Sequence, residues 1–182
     1  MKTPLGIESY ITSEEICDEL IAYYNSNQDK VQDGVTMAKD GEKIDKSYKD
    51  SKDISLPNGD FKYFKDLFSH AEKYVETYDA LQHGPSSTIL EPVNIQKYPK
   101  GGGFKQWHFE RASENTLKRS LVFMTYLNTC DGGTEFKYQE WTAPCKKGLT
   151  LIWPPDFLFT HRGVIDYNHE KMIVTGWLSW NI

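Results

Sequence analysis

GGGFKQWHFERASE, residues 101–114, opens on a glycine turn and then alternates like a strand. In a strand, side chains at i and i+2 project from the same face. That reading sets His108 beside Glu110, an imidazole next to a carboxylate on stiff backbone. The flanking sequence supports it. From about residue 88 the chain becomes a series of short runs rich in β-branched and aromatic residues. Val93, Ile95 and Lys97 alternate with Asn94 and Gln96, and RSLVFMTYLN (119–128), KGLTLIWP (147–154), FLFTHRG (157–163) and KMIVTGWLSW (171–180) follow. KGGG, CDGG, PP and DYNHE separate them as turns.

Towards the N-terminus the period changes. Around residues 13–27, Thr12 and Glu15 have the spacing of a capping box, and Ile16, Leu20, Ile21 and Tyr24 form an apolar stripe. A second helix is expected over 61–80, with Phe61, Phe64, Phe68, Ala71 and Val75 on its packed face. Residues 28–60 are polar and read as a long surface connection with a short strand. Two helices followed by many strands imply an α+β fold, mainly β, with a sandwich or barrel core. At 182 residues the chain fits one domain, with 1–87 as helical support and surface segment and 88–182 as the core.

The net charge is −5, and Arg111, Arg119 and Arg162 are the three arginines. That balance disfavours extended contact with a phosphate backbone, where each neutralised phosphate wants a Lys or Arg. The N-terminal MKTPLGIESYITSEE lacks the apolar run of a signal peptide, and no 18-residue apolar stretch offers a membrane span. Cys17, Cys130 and Cys145 are odd in number and lack CxxC spacing, so they read as free thiols. The expectation is a cytoplasmic protein without membrane contact.

An H-x-E pair alone is a weak signal, since most such pairs are a satisfied histidine beside a solvated carboxylate. His161 changes the weighing. It lies in THRG at the end of another strand-like run, and two imidazoles with one carboxylate on neighbouring strands occupy one face of an octahedral ion. Three positions stay open, the arrangement of non-heme Fe(II) oxygenases. Against this stands the plainer account of His161 as a core or turn histidine. His70, His83 and His169 fall in the support helix or in loops and read as structural or solvated.

These residues lie within a longer ordered pattern. YPKGGGFKQWHFE, TYLN, GGTEF, KKGLTLIWPP and THRG, followed by Lys171, resemble in order the motifs of the Fe(II)/2-oxoglutarate-dependent oxygenases, in particular the prolyl 4-hydroxylase-like branch. No block is specific alone; the ordered set is. The resemblance implies a double-stranded β-helix (jelly roll) core backed by helices, with Fe(II), 2-oxoglutarate and O2 as cofactor and cosubstrates and ascorbate as a stimulant. It assigns the metal to His108, Glu110 and His161. It pairs Lys171 with the distal carboxylate of 2-oxoglutarate, with Tyr126 and Thr175 as further donors. The implied reaction couples oxidative decarboxylation of 2-oxoglutarate to hydroxylation of an unactivated C–H bond, most naturally of a prolyl residue in a peptide or protein. One departure stands out: the family usually carries Asp where this chain has Glu110, whose extra methylene lengthens the ligand's reach.

Other readings compete. A triglycine can cradle phosphate, but here no GK[ST] and no helix follow it. A nucleic-acid demethylase of the same superfamily usually has a further downstream arginine, and none follows Arg162. A zinc hydrolase could use two His and a Glu, yet leaves Lys171 and Tyr126 unexplained. A non-catalytic β-sandwich binding module with a decayed site conflicts with the intact set. Free amino acids remain alternative substrates, and Trp107, Arg111, Arg119 and Trp141 are candidates for the substrate entrance. The alternation of KMIVTGWLSW places Lys171, Ile173, Thr175 and Trp177 on one face.

Overall fold

A computed structural model describes residues 1–38, 41–57 and 61–182. Its main element is an eight-stranded sheet. The strands run Glu8–Ile11, Leu149–Trp153, Arg119–Tyr126, Lys171–Trp180, Asn94–Tyr98, Lys52–Ser55, Gln32–Asp33, with Ser87–Thr88 also pairing with Lys171–Trp180. A three-stranded sheet of Trp141–Ala143, Thr134–Phe136 and His161–Gly163 lies off this path, and Lys49–Asp50 pairs with Gly103–Phe104. Every pairing among the described strands is antiparallel. This mainly β, jelly-roll arrangement is the one expected. No described helix is long and apolar enough to cross a membrane.

The central strands are buried on both faces, and their alternation divides the molecule in two. Leu121, Phe123, Ile95, Val174 and Leu178 pack with helices α1 (Glu14–Ser26) and α2 (Lys62–Thr77). Val122, Met124, Tyr126, Leu149, Leu151, Trp153 and Ile173 face the other way, into the barrel. A one-residue slip would exchange the two sets, so burial on both sides pins the register.

Several boundaries differ from expectation. Residue 88 does not separate support from core, because Glu8–Ile11, Gln32–Asp33 and Lys52–Ser55 all extend the major sheet. Their ladder hydrogen bonds cover strand edges that would otherwise lie open. The 28–60 connection is thus partly sheet; residues 39–40 and 58–60 within it lie outside the described residues. Helix α1 is capped by Ser13, whose Oγ accepts from Ile16 N at 3.3 Å, and not by Thr12. Thr12 is buried instead, donating to Asp66 Oδ2 at 2.7 Å and bonded to Thr150 at 2.8 Å. In α2 the packed face is Phe64, Leu67, Ala71 and Tyr74, while Phe68 is 39% exposed. Tyr63 and His70 widen that face; a polar-looking tyrosine or histidine with an aromatic body competes with phenylalanine for burial. His70 is buried and stacks on Tyr10 at 4.9 Å, a structural role as expected.

Candidate metal and cosubstrate site

The two histidines are brought together by backbone. His108 and His161 form an isolated antiparallel bridge, with N···O distances of 3.0 and 2.9 Å in the two directions. Directly paired residues share a face, so their rings meet at a centroid distance of 4.3 Å. The 101–114 stretch is less regular than a strand: only Gly103–Phe104 is ladder, and His108 is a single bridge residue. FLFTHRG likewise contributes a 3-10 turn, Phe157–Phe159, before the strand His161–Gly163. Beyond His108 the chain is pinned because the Pro155 carbonyl accepts from both Glu110 N and Arg111 N, at 3.1 and 3.0 Å. Gly101, at φ +74, makes the preceding turn in a conformation that favours glycine.

Donor chemistry at the triad fits a cation. His108 Nδ1 lies 2.9 Å from the Gln106 carbonyl and His161 Nδ1 lies 2.8 Å from the Phe159 carbonyl. A carbonyl only accepts, so each Nδ1 carries a proton, and the Nε2 of each ring is the atom left to offer a lone pair to a metal. Those Nε2 atoms face Glu110 Oε1 at 3.5 and 3.4 Å. All three ligand atoms lie within 4.8 Å of one another. Three electron-pair donors thus converge, oriented by outer hydrogen bonds as metal ligands are. Burial, reinforced by the repulsion a protonated His161 would exert, holds His108 below the usual imidazole pKa. Burial alone would raise Glu110, but hydrogen bonds and charge from the two imidazoles, when they carry a second proton, outweigh that and keep it well below the usual carboxylate range. Neutral imidazole and ionised carboxylate are the forms that bind metal.

A cavity of about 740 Å³ runs from the triad into the barrel. Lys171, Ile173, Thr175 and Trp177 line it together, as the alternation required. Lys171 is only 5% exposed, and burial lowers its pKa. Its Nζ reaches the Gly133 and Val164 carbonyls at 3.4 Å each and lies 5.2 Å from the Tyr98 ring, with no carboxylate within ion-pair distance among the described residues. A buried ammonium with two long contacts is an incompletely satisfied cation, and the distal carboxylate of a dicarboxylic acid would complete it. Tyr126 lines the same wall, fully buried, its hydroxyl donating to Thr134 Oγ1 at 2.7 Å. Thr175 also lines the cavity, but its hydroxyl donates to the Phe123 carbonyl at 2.9 Å. In this arrangement it offers lone pairs to a ligand and not the donor expected.

The entrance residues divide. Trp107 lines the cavity, and the Arg162 guanidinium lies 4.3 Å over its ring. Arg111 does not line it: Nε and Nη2 donate to the Arg119 carbonyl and Nη1 to Asp156. Trp141 packs against Phe136 in the barrel core, also away from the cavity. Arg119 is in the wall but is no entrance group, being 9% exposed and bound to Glu91 and Glu110. Sequence reasoning missed Lys49, Gln96, Tyr98 and Phe104, which also line the cavity. The Phe104 ring stacks on His108 at 3.7 Å. The Tyr98 hydroxyl donates to Gln96 at 2.6 Å, and the Lys49 ammonium pairs with Asp53 at 2.6 Å. The alternation through Gln96 and Tyr98 was a usable signal; for Lys49, in a two-residue strand, there was none.

Comparison with known proteins agrees with this geometry. Residues 93–179 match the model of the 2OG-Fe(II) oxygenase superfamily. In fold the chain is of the prolyl 4-hydroxylase-like kind. It resembles the viral collagen prolyl hydroxylase of Paramecium bursaria Chlorella virus-1, solved with 2-oxoglutarate, at a TM-score of 0.70 and 17% identity over 95% of each chain. It resembles a Pseudomonas putida prolyl-4-hydroxylase at 0.68 and 14%, covering 97% of this chain and 94% of that one. A Trichoplax adhaerens prolyl hydroxylase, in complex with a hypoxia inducible factor peptide fragment, scores 0.71 at 14% identity, over 96% and 83%. No curated protein sequence matches the chain. The domain is thus that of an enzyme, a 2-oxoglutarate-dependent oxygenase using Fe(II), 2-oxoglutarate and O2.

Proposed function

We propose that this enzyme hydroxylates prolyl residues in a peptide or protein, with Fe(II) held by His108, Glu110 and His161 and 2-oxoglutarate anchored at Lys171. One observation carries the site assignment: a buried, incompletely paired ammonium in the same cavity as three convergent metal-type donors. When bound, the iron and its cosubstrate supply the oxidising chemistry. The chain's own part is binding and exclusion. Nδ1–H bonds to the Gln106 and Phe159 carbonyls hold the imidazoles in the ligating tautomer. Lys171 selects a carboxylate at one fixed depth, and Ile173, Met124 and Tyr126 form walls that exclude water.

For the prolyl substrate the support is the likeness in fold to three prolyl hydroxylases and the aromatic cavity lining, where Trp107, Phe104, Phe109 and Tyr48 suit a neutral pyrrolidine ring. Arg111, Arg119 and Lys49 are each committed to carboxylates or carbonyls of the chain, which argues against a phosphate-bearing strand. The test measures 2-oxoglutarate turnover with Fe(II) against proline-rich peptides, free proline and single-stranded DNA. Turnover coupled to peptide, with a mass gain of one oxygen on proline, is expected. Coupling to free proline or to DNA alone would overturn the peptide assignment.

A further inference from the structure

Glu110 is one methylene longer than the aspartate usual at its position, and its two oxygens have different surroundings. Oε1 faces both imidazoles, whereas Oε2 accepts from Trp177 Nε1–H at 3.1 Å and from Arg119 Nη1 at 3.3 Å. We propose that Trp177 and Arg119 form a clamp that fixes Oε2, so that the longer ligand offers the metal a single oxygen. This rests on the reading of His108, Glu110 and His161 as metal ligands.

The clamp is itself held on every side. The Arg119 Nε and Nη2 donate to the two Glu91 oxygens at 2.8 and 2.5 Å, and Nη1 also reaches the Glu110 carbonyl at 2.7 Å. The guanidinium carbon lies over the Trp177 ring, 3.5 Å from its centroid. The Arg119 carbonyl in turn accepts from Arg111, which is tied to Asp156. A break in strand register makes the assembly possible. Regular alternation would turn Arg119 with Leu121 and Phe123 towards the helices. Instead Arg119 pairs with Ser179 while Leu121 pairs with Leu178, so a bulge at this point carries Arg119 to the cavity face. Bulges beside active sites re-aim side chains in this way.

A carboxylate with both oxygens free can chelate and take two metal positions. Holding Oε2 against an indole N–H and a guanidinium commits it elsewhere and leaves those positions to cosubstrates. Shortening the side chain then has a specific consequence. In Glu110→Asp the carboxylate cannot reach both the clamp and the point facing the imidazoles, although aspartate is the family's usual ligand.

The test titrates Mn(II) into metal-free protein by calorimetry and records the melting temperature of the same samples. Wild type should bind. Trp177→Phe, which keeps an aromatic ring near Arg119 but removes the N–H donor along with part of the ring surface, should weaken Mn(II) by about five- to twentyfold with little change in melting temperature. Glu110→Asp should weaken it by roughly tenfold or more, and the double variant should be no worse than Glu110→Asp, because both changes break the same contact. If wild type binds and Glu110→Asp and Trp177→Phe bind equally well, the clamp is refuted and the triad stands. If wild type does not bind Mn(II), the triad and the clamp fall together.

Discussion

The two faces of the Arg119–Tyr126 strand use burial in opposite ways. Leu121 and Phe123 on the helix side pack into an apolar cluster with residues of α1, α2 and the adjoining strands. Met124 and Tyr126, one residue along on the other side, line a cavity that also holds Lys171, His161 and Glu110. The first face stabilises the fold by removing apolar area from water. The second spends some of that stability to keep charges in a dry place, where they bind ligands strongly. Substitutions on the two faces should therefore separate stability from binding.

The largest separation is expected at His161. Changing it to Ala should reduce 2-oxoglutarate turnover by roughly a thousandfold or more by removing a ligand, while the melting temperature of metal-free protein stays near wild type. A collapse of the fold with activity per folded molecule retained would contradict the assignment. On the helix side, Phe123→Ala should cost about 3–5 kcal/mol in denaturant unfolding, with 2-oxoglutarate affinity unchanged in the folded fraction.

Lys171→Met sharpens the contrast because its two effects have opposite signs. Affinity for 2-oxoglutarate should fall about ten- to a thousandfold, the loss of a charge-assisted contact. The metal- and cosubstrate-free protein should gain roughly 1–3 kcal/mol, since a buried charge is removed. Loss of stability together with unchanged cosubstrate binding would sink the anchor. The pH dependence follows from the same lowered pKa. Between that pKa and the ordinary lysine value the unfolded chain holds more protons, so stability of the ligand-free protein should rise with pH there. Cosubstrate affinity needs the ammonium and should instead fall as pH rises through the lowered pKa. Titrations of both quantities in wild type and Lys171→Met test the pair of slopes, which the variant should lack.

The smallest effect concerns α2. Phe68→Ser should change stability by less than about 0.5 kcal/mol, because Phe68 points away from the packed face. Leu67→Ala, one position along and fully buried, should cost about 2–5 kcal/mol.

What could be read from the chain alone was what local periodicity and composition control. The period-2 run over 171–177 put Lys171 and Trp177 on one face, and the spacing of His108 and Glu110 with THRG further on marked a metal-type triad. These follow from steric rules acting within a few residues. Tertiary structure decided the rest, because it depends on partners far away in sequence. The strand pairing that carries Arg119 across the sheet by a bulge needs Ser179 and Leu178 in place. Arg111 and Trp141 look like entrance residues in isolation, and only their docking onto Asp156 and Phe136 turns them away from the cavity. Strands before residue 88 join the sheet because its edges present unpaired backbone groups, a demand that no short stretch of sequence displays. The orientation of Glu110 belongs to this second class: the residue was plain in the sequence, but the indole N–H and guanidinium that hold its outer oxygen arrive from other strands.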